Sequence, residues 1–331
     1  MNFTFGILLY NQEHLVIETL ESIKYQITNF GTDITCDLII VDDFSSDKST
    51  YIVKKWLESN ANLFRNILFH INEYNQGMVI GQQYIIDNTK TEHLKIIAAD
   101  DIFASCNIFK HYRNLNGTVI KSFIRVNLRN EKLQLDEDAL KRFCQNKKYF
   151  SGKRKLTGMR RGCYFHTPST IYKLQMYFDG KCQEFNKNFK YLEDDSTWYC
   201  MMKNIPNIEI RFLEDIIVLY RISDASVSNS RTNNILMPDF YKLHEQYRKD
   251  AKGIERAYFC SKIHDNIPKI FRLHKYVDFI RRNQLKFSPE FKTARYRQLK
   301  EKMEERIKEE KKYYQFILTC KTDFLKHLEG S

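Results

Sequence analysis

"KIIAADDIF", residues 95–103, ends an apolar run on two adjacent aspartates. A buried strand has no packing reason to finish on Asp100 and Asp101, and neighbouring like charges repel, so the pair implies something held there. Working back toward the N-terminus, the pattern repeats. "FTFGILLY" (3–10), "DLIIVDD" (37–43) and "NILFHIN" (66–72) read as buried strands, the second closing on Asp42 and Asp43. Between them, Val16, Leu20, Ile23 and Ile27 share one helical face. "SSDKSTYIVKKWLES" opens with capping residues and sets Ile52, Val53, Trp56 and Leu57 on another. A glycine turn at "NQG" leads into a helix over about 78–88.

The order βαβαβαβ predicts an α/β fold, a mostly parallel sheet with helices on both faces. Ligands of such sheets bind beyond the carboxyl ends of the strands. The two aspartate pairs, at the ends of the second and fourth strands, therefore converge on one edge.

The rest of the chain is read more coarsely. Residues 104–230 are irregular, with helices expected near 137–145 and 193–203 and a strand in "IIVLYRIS" (216–223). From about 235 the pattern is helical and charged. Ser288 and Pro289 form a helix start, and Leu299, Met303 and Ile307 begin an apolar stripe that Tyr313, Ile317, Cys320, Phe324 and Leu328 continue.

Bulk properties exclude several classes. The 331 residues are 43% hydrophobic, enough for a large core. No apolar run reaches the roughly 18 residues of a membrane span. "MNFTFGILLY" lacks a basic leader and a cleavage site, so it reads as a first strand. The 8 cysteines are scattered, without CxxC or a close Cys/His cluster, which argues for reduced thiols in a cytoplasmic protein over a disulfide scaffold or zinc site. The net charge is +12, and residues 231–331 hold 24 Lys+Arg against 14 Asp+Glu. Nearly all the excess thus lies in the last hundred residues.

Five stretches in order, "LLYNQEHLVIETLESI" (8–23), "LIIVDDFSSDKST" (38–50), "NQGMVIGQQYII" (75–86), "IIAADDIF" (96–103) and "FKYLEDDSTWYC" (189–200), resemble glycosyltransferase family 2 of the GT-A fold. The resemblance implies an inverting transferase domain over 1–230, with a nucleotide-binding part (1–103) and an acceptor part (104–230), followed by a basic helical region (231–331). It implies that Tyr10 stacks on the nucleotide base, that Asp43 accepts the base N–H, and that Asn75 and Gly77 form the turn beside the nucleotide. Asp42 is expected to be structural. Asp101 would hold Mn²⁺ or Mg²⁺ and Asp100 the ribose side, hard oxygen ligands suiting those ions. In "YLEDDSTWYC", Asp194 follows Glu193 and precedes Trp198 by four residues, as the family's catalytic base does; Asp195 competes for the role. Arg221 would reach an anionic group, or pair with a carboxylate of the fold. Gln82–Gln83 stand where many members carry Arg-Asn, and Ser223 where many carry His, which removes any charged contact or second metal ligand expected there. Arg160, Arg161 and His166 read as solvated more readily than as phosphate ligands.

The implied activity is transfer of a sugar from a UDP-sugar to a hydroxyl of a glycan or lipid-linked glycan, with a β-linkage, in bacterial surface-polysaccharide assembly. Residues 262–297 hold ten Lys+Arg, three acids and six aromatics. That composition suits packing on the catalytic domain or a second subunit, an anionic bilayer at the inner face of the cytoplasmic membrane, or nucleic acid, in that order. Two other classes compete. A nucleotidyltransferase of nucleotide-sugar synthesis would need a GxGxR-like loop, which "LLYNQEH" lacks. A non-enzymatic nucleic-acid-binding protein would leave the paired aspartates without a role, so no nucleic acid is expected. Homo-oligomerisation is left open.

Overall fold

The computed structural model describes residues 1–113, 115–150, 155–160, 165–222, 233–263, 274–280 and 288–329. The first hundred residues alternate strand and helix as the sequence predicts: β1 (Asn2–Leu9), α1 (Val16–Phe30), β2 (Thr35–Asp42), α2 (Ser49–Asn60), β3 (Asn66–Ile71), α3 (Met78–Asn88) and β4 (His93–Ala98). The four strands form a parallel sheet in the order β3-β2-β1-β4. Phe3, Phe5, Ile7 and Leu9 alternate onto one face and meet Val16, Leu20 and Ile23 of α1 with Ile52, Val53 and Trp56 of α2. On the other face Ile39 and Val41 pack against Ile85 of α3. A Cβ on Gly6 would lie 2.7 Å from Ile85, so glycine lets α3 sit this close to β1.

Beyond β4 come β5 (Ile102–Phe103), α4 (Phe109–Arg113), β6 (Val119–Phe123), β7 (Val126–Arg129), β8 (Lys132–Leu135), α5 (Glu137–Phe150), α6 (Lys155–Arg160), β9 (Thr170–Ile171), α7 (Leu174–Asp179), α8 (Cys182–Asn186), α9 (Glu193–Asn204), β10 (Glu209–Leu213) and β11 (Val218–Arg221). The strands form two small mixed sheets, β10-β6-β9 and β5-β11-β7-β8. The helices expected near 137–145 and 193–203 are α5 and α9.

The chain continues through α10 (Asn233–Asp250), α11 (Gly253–Ile263) and the 36-residue α12 (Ala294–Glu329). Ser288 and Pro289 start a 3₁₀ turn, Pro289–Lys292, and the long helix begins only at Ala294, because Thr293 is extended. Leu299, Met303, Ile307, Tyr313 and Ile317 are buried, each contributing about 1.5–3 kcal/mol if fully withdrawn from water. They pack in a cluster with Ile102, Val126 and Leu133. Phe324 and Leu328, further along, pack against the core of the parallel sheet. Much of the basic stretch 262–297 lies outside the described residues; within it Tyr276 and Phe279 are 72% and 65% exposed. Among the described residues no helix is long and apolar enough to cross a membrane, and every described cysteine is a free thiol. Ser223 and Arg161 lie outside the described residues.

Candidate active site

The edge anticipated from the strand pattern exists. Leu9 pairs with Asp42 and Leu8 with Ala98, so β2 and β4 end on either side of the end of β1. Tyr10, just beyond β1, is 47% exposed at this edge. Asp42 is fully buried and accepts the Ser45 N–H at 2.9 Å and its hydroxyl. Burial lifts its carboxyl above the ordinary range, so Asp42 serves the turn that follows β2.

Asp43 organises the next loop. Its carboxylate accepts Asn72 Nδ2 at 2.9 Å and the backbone N–H groups of Gln76 at 2.7 Å and Gly77 at 2.9 Å. A carboxylate offers about four acceptor positions, so room remains for a further donor. Asn75 is half-buried in the turn, and Gly77 takes φ +90°, which a side chain would strain. Gln83 bonds Tyr177 and Asp87, and Gln82 is buried.

The acid pair after β4 is divided by burial. Asp101 is 1% exposed; its Oδ1 accepts the Arg221 N–H at 2.8 Å and its carbonyl accepts the Thr19 hydroxyl at 2.6 Å. Asp100 is less buried than Asp101. Burial raises both carboxyls above their usual range, and Asp100 raises Asp101 further. Two crowded carboxylates with spare oxygen lone pairs fit a hard divalent cation, which would relieve their repulsion. Arg221 takes the second course that the sequence allowed. Its guanidinium pairs with Glu18 and donates from Nε to the Asp100 carbonyl at 2.8 Å.

The acidic start of α9 resolves into three directions, as successive helical residues must. Glu193 is buried against Asp194, and desolvation pushes its carboxyl well above the usual range. Desolvation raises the Asp194 carboxyl, while Thr167, Glu193 and the charge of Lys95 pull it back down. Asp195 instead faces the charge of Lys262 and lies beside Tyr247 of α10, its carboxyl raised by burial to about 7. Trp198 is fully buried, and its indole N–H donates to Thr167 Oγ1 at 2.8 Å, fixing the hydroxyl that holds Asp194.

Three positioning residues escaped the sequence reading. Lys95, in β4 itself, is 5% exposed and donates to the carbonyls of Thr167 (3.2 Å) and Thr170 (2.9 Å). Burial lowers its ammonium to about 7, against the pull of the Asp101 and Asp194 charges. Asp239 of α10 accepts the N–H groups of Lys190, Tyr191 and Leu192, the residues leading into α9. Glu18 anchors Arg221. The buried lysine within "KIIAADD" was the one visible signal. Arg160, expected to be solvated, pairs with Glu255 at 2.9 Å and its side chain is 9% exposed. His166 is half-buried, Nδ1 against Ser169 Oγ at 2.8 Å. A separate group, Cys106, His111 and Asp215, has metal-ligand spacing, but Lys110 and Arg306 already pair with its carboxylate.

A parallel sheet with helices on its faces and acidic residues beyond its strand ends defines an α/β protein whose ligand edge lies there. The family described as Glycosyl transferase family 2 matches residues 4–178, and the chain belongs to it: this protein is a glycosyltransferase. No curated protein sequence gives a significant match. Among solved structures, S. aureus TarS 1–349 in complex with UDP-GlcNAc is similar, with TM-score 0.56 and 16% identity over 88% of this chain and 78% of that one. GalNAc-T7 with UDP, GalNAc and Mn²⁺ gives TM-score 0.52 and 11% identity over 84% of this chain and 54% of that one. The chain spans 44% of the longer TarS chain. These likenesses establish the GT-A fold. Family membership sets aside the nucleotidyltransferase and nucleic-acid-binding alternatives.

Proposed function

We propose that this glycosyltransferase moves a sugar from a UDP-sugar to a hydroxyl of a glycan or lipid-linked glycan with inversion, giving a β-linkage, in bacterial surface-polysaccharide assembly. The observation that supports it is the buried Lys95, whose ammonium feels the charges of both Asp101 and Asp194. One buried lysine thus couples Asp194, the base in this proposal, to the acid edge. Support for the donor comes from TarS, whose structures contain UDP-GlcNAc and UDP, and from GalNAc-T7, whose structure contains UDP.

In this reading Tyr10 stacks on uracil and Asp43 accepts its N3–H with its remaining lone pair. Asn75 and Gly77 let the chain approach the nucleotide. Asp100, the more accessible of its pair, would hold Mn²⁺ or Mg²⁺, while Asp101 fixes the turn from beneath; this exchanges the roles expected from sequence. A divalent ion bound there would neutralise charge on the departing diphosphate. Asp194 takes the proton of the acceptor hydroxyl as its oxygen attacks the anomeric carbon. The C–O bond to UDP breaks on the opposite face, and UDP leaves with the electron pair.

The exposed aromatics Tyr276 and Phe279, beside Lys275, belong to the same proposal as a contact with the anionic inner face of the cytoplasmic membrane. Cosedimentation with phosphatidylserine vesicles but not with neutral ones tests that contact. The donor is tested by incubating the protein with a panel of UDP-sugars and Mn²⁺ or Mg²⁺ and measuring UDP release. Failure of every UDP-sugar to bind or turn over with either ion would remove the donor assignment.

A further inference from the structure

We propose that α12 is a strut for the acid edge: Tyr314 and Lys321 hold Glu18, Glu18 holds Arg221, and Arg221 sets the turn that carries Asp100 and Asp101. Every link is a direct contact. The Tyr314 hydroxyl donates to Glu18 Oε2 at 3.1 Å, and Lys321 Nζ donates to Glu18 Oε1 at 2.7 Å. The Arg221 guanidinium pairs with Glu18 Oε2. From there Arg221 Nε donates to the Asp100 carbonyl, and Arg221 N–H donates to Asp101 Oδ1, both at 2.8 Å. Glu18 and Tyr314 are each 1% exposed, and Arg221 is 8% exposed.

Burial makes the chain of contacts consequential. An Arg–Glu pair away from water is favourable only when its remaining donors and acceptors are satisfied. Tyr314 and Lys321 satisfy Glu18, and the Asp100 carbonyl satisfies Arg221. Removing the α12 groups leaves Glu18 short of two donors, so the pair relaxes and the turn loses its fixed partner. Tyr314 and Lys321 stand 296 and 303 residues from Glu18 in sequence. The charged C-terminal helix, which the sequence set apart, is thereby built into the donor site. The links themselves are independent of what binds at the edge; the consequence for UDP affinity rests on the proposed donor.

The test uses the full chain carrying Tyr314→Phe, Lys321→Met, or both, with hydrogen–deuterium exchange as the first readout. Phenylalanine keeps the ring packing and methionine the aliphatic stem, so folding is retained. Exchange at the amides of Asp101 and Arg221 is expected to rise roughly five-fold for each hydrogen bond lost, while that of β2 stays as in the wild type. The second readout is calorimetric UDP affinity in Mn²⁺, expected to fall by a similar factor. Faster exchange at the turn with no UDP binding by either protein would uphold the strut and remove the donor assignment. Unchanged exchange at Asp101 and Arg221, or an equal rise in every strand, would overturn the strut.

Discussion

The Lys190 carbonyl stands 2.7 Å from where a Cβ on Gly77 would lie. It also accepts the Val79 N–H at 3.3 Å, so the Asn75–Gly77 turn rests directly on the segment that leads into α9. Gly77→Ala meets both a backbone clash and an unfavourable φ. We expect a loss of roughly 1–3 kcal/mol in stability, read by chemical denaturation, with weaker UDP binding. Wild-type stability would show that the two segments move independently.

Asp194 can act as a base only when ionised. Desolvation holds its carboxyl above the usual range, while Thr167, Glu193 and Lys95 pull it down. Activity should therefore be lost as pH falls through that raised value. Thr167→Val removes a group that lowers it, so the acid limb of kcat/KM should move to higher pH. A limb that stays in place would take Thr167 out of contact with the base.

Asp239 satisfies three backbone N–H groups ahead of α9. Asp239→Ala leaves three donors without their partner, that of buried Leu192 costing about 1–3 kcal/mol and the more exposed ones less, as water recovers them. The expected outcome is a destabilisation of about 2–4 kcal/mol with a large fall in kcat, and Asp239→Asn intermediate in both. Equal stability of all three proteins in a denaturant titration would contradict this.

Asp100 and Asp101 should separate by phenotype. Asp100→Asn is expected to abolish metal-dependent UDP binding while leaving Tm near the wild-type value. Asp101→Ala should lower Tm, because it leaves the Arg221 N–H without its acceptor. The reverse pattern, measured by calorimetry and thermal melts, would restore the metal to Asp101.

The first hundred residues were legible because alternating short strands and amphipathic helices leave little choice of topology, and acids at apolar strand ends mark the ligand edge. The structural role expected of Asp42 is seen in its hold on Ser45. The contact of Arg221 with Asp101 was not legible, since its two residues lie 120 apart in sequence. Asp239 and Glu18 were invisible for the same reason: each is an ordinary acid on a helical pattern, and only its distant partners give it a task. Lys95 was open to view, a lysine in a strand otherwise buried. The helix start at Ser288 and Pro289 is a short 3₁₀ turn, which the same capping pair suits, and the long helix follows from Ala294.

The most direct test pairs two measurements on Asp194→Asn: UDP binding in Mn²⁺ by calorimetry, and sugar transfer to acceptor. UDP should bind with wild-type affinity while transfer slows by roughly 10²–10⁴-fold. Transfer at the wild-type rate, with UDP binding intact, would contradict the assignment of Asp194 as the base.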